Sequence, residues 1–194
     1  QVDGVIMANR QIRVNSCEFT SPIIVLIIGE SANRHHSQLY GYPLSTTPRQ
    51  LALMKGKDSL AVFTDVVSPW NLTSRVFKQI FSLQSVGVKG DWSNYTLFPA
   101  VFKKAGYHVS FLSNQFPYGI NYTPDWTNNL SGGFFLNHPQ LNKQMFDYRN
   151  TNIHEYDEEL LNDYKNIGIK EKSQLIIFHL LGQHFQYSLR CKSN

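Results

Sequence analysis

Several features that would settle the class of a protein at once are scarce in this 194-residue chain. Its two cysteines, Cys17 and Cys191, leave one disulfide or two free thiols open, but they exclude a disulfide framework. No apolar run is long enough to cross a bilayer. A formal net charge of +4, without a basic helix or an RNA-binding aromatic motif, excludes nucleic acid as a partner.

The chain does contain enough apolar sequence for one folded domain. Hydrophobic residues make up 42% and aromatic residues 13%, so a disordered chain is excluded. Apolar runs alternate with stretches of helical periodicity, which is typical of a parallel sheet covered by helices on both faces. We therefore expect an α/β fold, a three-layer α/β/α sandwich with a mainly parallel sheet. Residues 1–22 lack a clear period and predict an extended or single-strand lead-in to a domain at 23–194.

Strands are predicted at the apolar runs, and helices where apolar residues recur every three or four positions. Residues 113–150 show little periodicity and predict a functional loop or a set of short elements. The predicted strands are 23–28, 60–67, 107–112 and 174–179, and the predicted helices are 31–40, 48–54, 73–83, 95–105 and 153–166.

The first apolar run ends at Gly29-Glu30-Ser31, which places a carboxylate at the carboxyl end of a strand. Ligands of open α/β sheets bind in the crevice outside the strand ends. Taken alone, a glutamate in this position is more often a solvated loop residue. The residues that follow it, Arg34 and two adjacent histidines, make the whole stretch more specific than a lone glutamate and favour a ligand-binding role.

Thr73 is the second candidate because it stands at the start of a predicted helix. The unpaired backbone N–H groups and the dipole of a helix N-terminus favour an anion, so a hydroxyl there is well placed to attack a phosphorus atom. A threonine at a helix start also has a simpler explanation, that it caps the helix. Ser74 is a weaker alternative nucleophile.

The segment GESANRHHSQLYGYPLSTTP at 29–48 resembles the signature of the phosphoethanolamine transferases. These are membrane-anchored enzymes of the alkaline phosphatase and sulfatase superfamily that modify lipid A, core oligosaccharide or other envelope glycans. The resemblance implies an alkaline-phosphatase-like fold and phosphatidylethanolamine as the donor. It also implies a site at the periplasmic face of the bacterial inner membrane, with anchoring by a membrane domain ahead of this soluble region.

The resemblance also implies a role for each candidate residue. Glu30 and Thr73 correspond to zinc ligands, and Thr73, in DVVSPWNLT at 65–73, corresponds to the nucleophile that carries the phosphoethanolamine. Asn114 and Gln115 correspond to residues that face this group. His184, at the end of an H-x-x-G-x-H segment, corresponds to a histidine that contacts phosphate or a second zinc. Because parallel strands end at the same edge of a sheet, we expect four of these side chains to cluster there, those of Glu30, Thr73, Asn114 and His184.

His179 opens the same H-x-x-G-x-H segment but lies inside the last apolar run, so we expect it to be a hydrogen-bonded core histidine. The family completes its zinc shell with an adjacent Asp-His pair, and this sequence contains no such dipeptide. The chain therefore resembles the front portion of the family's domain, incomplete at its C-terminal end. We expect weak or absent zinc binding and little activity from this chain alone.

Other functions remain open. A sulfatase-like hydrolase or phosphoglycerol transferase would share the fold, although Ser68-Pro69 lacks the continuation of a sulfatase nucleophile motif. A truncated, non-catalytic paralogue that binds a phosphate-bearing ligand is the third possibility, and the missing Asp-His pair favours it.

Overall fold

A computed structural model describes residues 1–56, 60–85, 87–115, 135–168 and 173–189 of the chain. The chain divides into two compact units, which we call the sheet unit (Gln1–Glu30 with Pro69–Asn194) and the small unit (Ser31–Ser68). Within the described ranges, no helix has the length and apolar character needed to cross a membrane. The helices are α1 Val2–Gln11, α2 Pro48–Lys55, α3 Thr73–Phe81, α4 Phe98–Lys104, α5 Pro139–Met145 and α6 Leu160–Ile167.

The sheet unit is built on a four-stranded sheet in which every pairing is parallel. The strand order is β1-β4-β2-β3, so β4 lies in the middle, paired in register with β1 on one side and β2 on the other. The α/β class is confirmed, and the predicted strands at 23–28, 107–112 and 174–179 are confirmed to within one residue. The strands are β1 Ile23–Ile28, β2 His108–Ser113, β3 Tyr148–Arg149 and β4 Gln174–His179.

Helices cover both faces of this sheet, as predicted for a three-layer sandwich. On one face, α1, α3, α4 and α5 pack around Phe111 of β2 and Ile177 of β4, both fully buried. On the other face, Leu160 of α6 packs with Ile176 and Phe178 of β4. Because successive side chains of a strand point to opposite faces, the strands contribute to two apolar cores, one on each side of the sheet.

The amino-terminal segment differs from the prediction. An extended or strand-like lead-in at 1–22 is wrong for the residues of α1, because Val5 and Ile6 of this helix are buried in the main core. Lys104 closes the C-terminal end of α1 by donating to the carbonyls of Asn9 and Ile12 at 2.6 and 2.8 Å. Tertiary packing and this lysine stabilise a helix whose own apolar periodicity is too weak to reveal it.

The predicted strand at 60–67 is also wrong, since the small unit contains no strand among its described residues. Phe63, Val66 and Val67 are 71, 63 and 80% exposed, so these apolar side chains are not packed into a core. The carbonyls of Phe63 and Thr64 instead accept bonds from the side chains of Tyr40 and Arg34.

The rest of the small unit follows the prediction in part. The predicted helix at 31–40 is two 3-10 turns, Arg34–His36 and Gln38–Tyr40, capped by Asn33 and Ser37 rather than by Ser31. Gly41 ends the second turn in the left-handed conformation, with φ of 88°. Helix α2 is confirmed with Pro48 at its first position.

The remaining helices are shorter than predicted. Helix α6 begins at Leu160 after a 3-10 turn at Asp157–Glu159, whereas the periodicity predicts a start near Ile153. The poorly periodic stretch 113–150 contains short elements, as predicted, where it is described: a 3-10 turn, α5 and β3. Residues 116–134 of this stretch, and Cys191 of the possible disulfide, lie outside the described residues.

Candidate active site

The site is centred on a hydrogen bond between Glu30 and Thr73. Strand β1 ends at Ile28, so Glu30 stands just past the carboxyl end of the sheet edge, and Thr73 is the first residue of α3. The Thr73 hydroxyl donates to Oε2 of Glu30 at 2.8 Å, and both side chains are half-buried. The structure thus brings together two residues that are far apart in the sequence.

The simpler explanation of Thr73 as a helix cap is wrong. The N-cap of α3 is Leu72, and no side chain makes a capping bond there. The Thr73 hydroxyl is directed instead to the Glu30 carboxylate, which is a proton acceptor within hydrogen-bond reach.

Gln115 joins the ends of three strands. It follows β2, and its Nε2 donates to Oε2 of Glu30 beyond β1 at 3.2 Å and to the carbonyl of Leu180 beyond β4 at 2.8 Å. Of the four side chains predicted to cluster at the sheet edge, Glu30 and Thr73 are hydrogen-bonded to each other, and Gln115, which that cluster did not include, bonds to Glu30 as well. An amide donor on the same carboxylate oxygen as the hydroxyl fixes the orientation of that carboxylate.

His179 stands behind this group as a buried, neutral imidazole, so its predicted role as a hydrogen-bonded core histidine is confirmed. Its Nδ1 lies 2.9 Å from the Ser113 hydroxyl, and its Nε2 lies 3.2 Å from the Gln115 amide nitrogen. Burial lowers the pKa of His179 to about 4, against an opposing effect of the Glu30 charge. Because the Gln115 Nε2 can only donate, His179 Nε2 is the acceptor, and we assign the His179 proton to Nδ1.

Asn114 follows the same strand end as Gln115 but is turned away from the Glu30–Thr73 pair. Its buried amide donates to Oδ1 of Asp157 at 2.9 Å, and its carbonyl oxygen accepts from the backbone N–H of His154 at 2.7 Å. A direct role for Asn114 in substrate binding stays a prediction.

His184 lies on the loop after β4 and is half-buried. Its ring packs against Phe185 with a centroid separation of 4.4 Å, and its backbone N–H donates to the carbonyl of Leu181 at 3.2 Å. Within the described residues its imidazole has no hydrogen bond to Glu30 or Thr73. The structure therefore does not bring His184 into the pair, and its contact with phosphate stays a prediction.

Two further residues of the site escaped the sequence analysis. Gly182 has φ of 55°, and a Cβ there would lie 2.8 Å from the Glu30 carbonyl oxygen, so the loop needs glycine at this position. Asp157 accepts hydrogen bonds from the backbone N–H groups of Leu181 and Gly182, both at 2.8 Å. The glycine of the H-x-x-G-x-H segment was a usable signal, whereas Asp157 sits in an acidic run that resembles an ordinary helix start.

The described residues fit only part of a zinc site. Glu30 and Thr73 place two oxygen donors side by side, but no group of three or more His, Cys, Asp or Glu residues that could hold a metal occurs in the described ranges. A zinc site takes three or four protein ligands. These residues therefore do not fit a zinc ion by themselves, and a complete shell needs donors beyond them.

Comparison with known proteins places the chain in a family. The family model described as Sulfatase matches residues 22–194. Among curated proteins, phosphoethanolamine transferase EptC of Escherichia coli is 30% identical over 174 residues, and phosphoethanolamine transferase CptA of Salmonella typhimurium is 32% identical over 177 residues. Each match covers 88% of this chain but 29% of the relative, so the chain spans less than a third of their length.

The solved structures agree with these relatives. The C-terminal periplasmic domain of EptC from Escherichia coli matches with a TM-score of 0.70 and 28% identity, over 88% of this chain and 46% of that one. The integral membrane protein lipooligosaccharide phosphoethanolamine transferase A from Neisseria meningitidis matches with a TM-score of 0.65. That match covers 94% of this chain and 32% of the other at 19% identity, and it supports the fold alone. The family expected from the motifs is confirmed: this chain belongs to the sulfatase family, and the curated relatives it matches are phosphoethanolamine transferases.

Proposed function

We propose that this chain carries the nucleophile of a phosphoethanolamine transferase. The donor is phosphatidylethanolamine, and the acceptor is lipid A, core oligosaccharide or another envelope glycan. The observation that carries the proposal is the 2.8 Å hydrogen bond from the Thr73 hydroxyl to Glu30. Relatives that are named phosphoethanolamine transferases support the class of reaction.

In the first step, the Thr73 oxygen attacks the phosphorus of the donor. The hydroxyl proton passes to the Glu30 carboxylate, because a threonine hydroxyl is a weak nucleophile until a base accepts its proton. A bond forms between the Thr73 oxygen and phosphorus, and the bond from phosphorus to the diacylglycerol oxygen breaks. Diacylglycerol leaves as an alcohol after taking up a proton from water.

In the second step, a hydroxyl or phosphate oxygen of the acceptor attacks the same phosphorus. The bond between phosphorus and the Thr73 oxygen breaks, and Thr73 regains its proton from Glu30. The acceptor hydroxyl, or the P–OH group of a singly protonated acceptor phosphate, loses its proton to solvent, which balances the proton taken up by diacylglycerol. Thr73 and Glu30 thus return to their starting states, as a covalent mechanism requires.

The neighbouring residues have supporting roles in this proposal. Gln115 holds the Glu30 carboxylate by a 3.2 Å bond, and its amide faces the phosphoethanolamine group when the donor binds. Asn114 holds the strand end beside it through Asp157. His184 approaches the transferred phosphate when the donor binds and supplies a hydrogen-bond donor to its oxygens.

Zinc enters the proposal at Glu30 and Thr73, which offer it two oxygen ligands. A bound zinc ion would polarise the phosphoryl oxygens and favour the ionised hydroxyl. Because the described residues supply only half of a zinc shell, neither of the two steps passes through zinc. One zinc ion per chain, retained through dialysis, would contradict the half-shell interpretation and would require a set of ligands beyond the described residues.

The proposal places the reaction at the periplasmic face of the bacterial inner membrane, where a membrane domain elsewhere in the protein holds the site near its lipid donor. The solved neighbour that is a C-terminal periplasmic domain, that of EptC from Escherichia coli at 28% identity, supports the periplasmic part of this placement.

Mass spectrometry of the chain after incubation with phosphatidylethanolamine vesicles tests the nucleophile directly. Because we expect little turnover from this chain alone, the readout is the first step only: a phosphoethanolamine adduct on the peptide that contains Thr73, and no adduct in Thr73→Ala. Ser74→Ala is the matched control and should keep the adduct. An adduct that survives in Thr73→Ala and disappears in Ser74→Ala would assign the nucleophile to Ser74 instead.

A non-catalytic phosphate-binding function is the second candidate. The two-ligand metal site of the described residues favours it. In that case wild type and Thr73→Ala would bind a phosphoethanolamine ligand equally well, and neither would form an adduct or release diacylglycerol.

A further inference from the structure

Asp157 bridges two strand ends although it lies outside the catalytic pair. It opens the 3-10 turn Asp157–Glu159, directly before α6. Its Oδ1 accepts from the Asn114 amide at 2.9 Å and from the Leu181 N–H at 2.8 Å, and its Oδ2 accepts from the Gly182 N–H at 2.8 Å. One carboxylate therefore ties the end of β2 to the loop that follows β4.

That loop in turn contacts the backbone of Glu30. The Gln183 N–H donates to the Glu30 carbonyl at 3.0 Å. Gly182 lies so close that a Cβ would come within 2.8 Å of the same carbonyl oxygen and 3.0 Å of the Glu30 nitrogen. The backbone of Glu30 thus contacts Gly182 and Gln183. Gly182 is one of the two residues whose N–H groups bind Asp157, and Gln183 follows it.

Glu30 has a second support on its side chain, and that support also begins beside Asp157. Gln115, which follows Asn114 in the chain, donates to the Glu30 carboxylate at 3.2 Å and to the Leu180 carbonyl at 2.8 Å. Both supports of Glu30, on its backbone and on its side chain, therefore run through segments that the Asp157 carboxylate joins.

We propose that Asp157 is a positioning residue for the Thr73 chemistry. Its carboxylate fixes loop 180–183 against Glu30 and so holds the Glu30 carboxylate toward the Thr73 hydroxyl. This inference rests on the proposed function for its catalytic consequence, whereas its structural part, the support of Glu30 by the loop, stands on the hydrogen bonds alone.

The test compares Asp157→Asn with Glu155→Gln in the full chain. Asn has nearly the same shape as Asp, but its amide nitrogen cannot accept, so at least one backbone N–H loses its acceptor. Glu155 is exposed and lies two residues away, so its variant loses the same charge without loss of these bonds. Circular dichroism establishes that both variants are folded.

The first readout is amide hydrogen exchange by NMR at Leu181, Gly182 and Gln183. We expect exchange at all three to rise by about tenfold or more in Asp157→Asn and to stay at the wild-type rate in Glu155→Gln. The Gln183 amide decides the structural part, because its acceptor is Glu30 and not Asp157. Wild-type exchange at Gln183 in a folded Asp157→Asn would overturn the proposal.

The second readout is the rate of adduct formation on Thr73 at several donor concentrations. Because a misplacement of about 1 Å can cost about 100-fold in rate, we expect the limiting rate to fall by about 10- to 100-fold in Asp157→Asn. The half-saturating donor concentration should change less than the limiting rate, since Asp157 acts through the position of Glu30. Asp157→Glu keeps both acceptor oxygens and should recover part of the rate. An unchanged limiting rate in folded Asp157→Asn would overturn the catalytic part.

The two proposals fail in different ways. If the wild-type chain forms no adduct, the proposed function fails, and the amide exchange still decides whether Asp157 supports Glu30. If Asp157→Asn does not fold, Asp157→Ser replaces it, because a hydroxyl leaves one acceptor oxygen for the three donors that the carboxylate binds. Wild-type exchange at Gln183 in folded Asp157→Ser together with an unchanged limiting rate would then overturn the inference.

Discussion

Strands β1 and β4 are neighbours with similar apolar sequences, yet their environments differ. They pair in register from Ile23 with Gln174 to Ile28 with His179. All six residues of β4 are buried, whereas β1 alternates between exposed and half-buried residues, with Ile27 63% exposed. The more uniformly apolar of the two strands is thus the less buried. In the described sheet β4 is central and β1 lies at the edge, and the exposed residues Ile23, Val25 and Ile27 all lie on one face of β1.

The same comparison explains how the site is held. Glu30 follows the edge strand, so fewer neighbouring strands support it than support His179 at the end of central β4. Bonds from Gln115 to the Glu30 carboxylate and from Gln183 to the Glu30 carbonyl supply the missing support. The nucleophilic side of the site therefore depends on loops that are anchored to the better-buried strands.

The largest expected difference between the strands is in the free energy of unfolding that is lost when a side chain is truncated to alanine. Ile177→Ala removes a fully buried side chain from β4 and should lower the free energy of unfolding by about 3 to 5 kcal/mol. Ile27→Ala makes the same chemical change on β1 at a residue that is 63% exposed, and should cost less than about 1 kcal/mol. Urea denaturation of the full chain measures both. Equal losses of unfolding free energy in the two variants would show that the face of β1 that carries Ile27 is covered in solution.

The second difference concerns pH, because β4 ends in a buried histidine. The pKa of His179 falls from its ordinary value of 6.5 to about 4 on folding. Well above pH 6.5 the residue is neutral in both states, so the lowered pKa does not change the free energy of unfolding there. As the pH falls from 6.5 toward 4, the unfolded chain binds a proton that the folded chain does not, so stability is lost over this window.

The size of this loss follows from the shift, and is about 3 kcal/mol at its full extent. His179→Asn keeps a polar partner for the Ser113 hydroxyl but cannot titrate. Its stability should fall less steeply than that of wild type between pH 6.5 and 4. Ile28→Val, at the register partner on β1, should keep the wild-type slope. A wild-type slope in His179→Asn would mean that His179 is not the group responsible.

The sequence predicts the sheet well where an apolar run meets a neighbouring strand. The runs at 23–28 and 174–179 predict β1 and β4 correctly, while the run at 60–67 forms no strand, since no strand pairs with it among the described residues. The two-residue strand β3 is too short for any period to reveal. Apolar periodicity describes one segment, but pairing and burial belong to two segments together.

The candidate site shows the same limit. Glu30 can be predicted because it follows a strand and stands in a family motif, and Thr73 because it opens a helix. The bond between them, the turn of Asn114 toward Asp157 and the bridging position of Gln115 are contacts between distant segments. A sequence gives the residue types that such contacts need, but without the fold it does not say which partner each one finds.

The smallest expected effect is on the open face of β1 itself. Val25 and Ile27 are 52 and 63% exposed, and they line an apolar groove of about 480 Å³ with Leu161, Ile176 and Phe178. The double change Val25→Thr with Ile27→Thr keeps the β-branched shape that suits a strand, so the free energy of unfolding should change by less than about 1 kcal/mol. Fluorescence of the dye ANS, which binds exposed apolar surface, should fall in the same variant.

The fully buried Ile177 is the contrasting position, since Ile177→Thr should destabilise the chain and raise ANS binding instead. Unchanged ANS fluorescence in the double variant would show that β1 is covered in solution, and the contrast between the two strands would then be smaller than their exposure indicates.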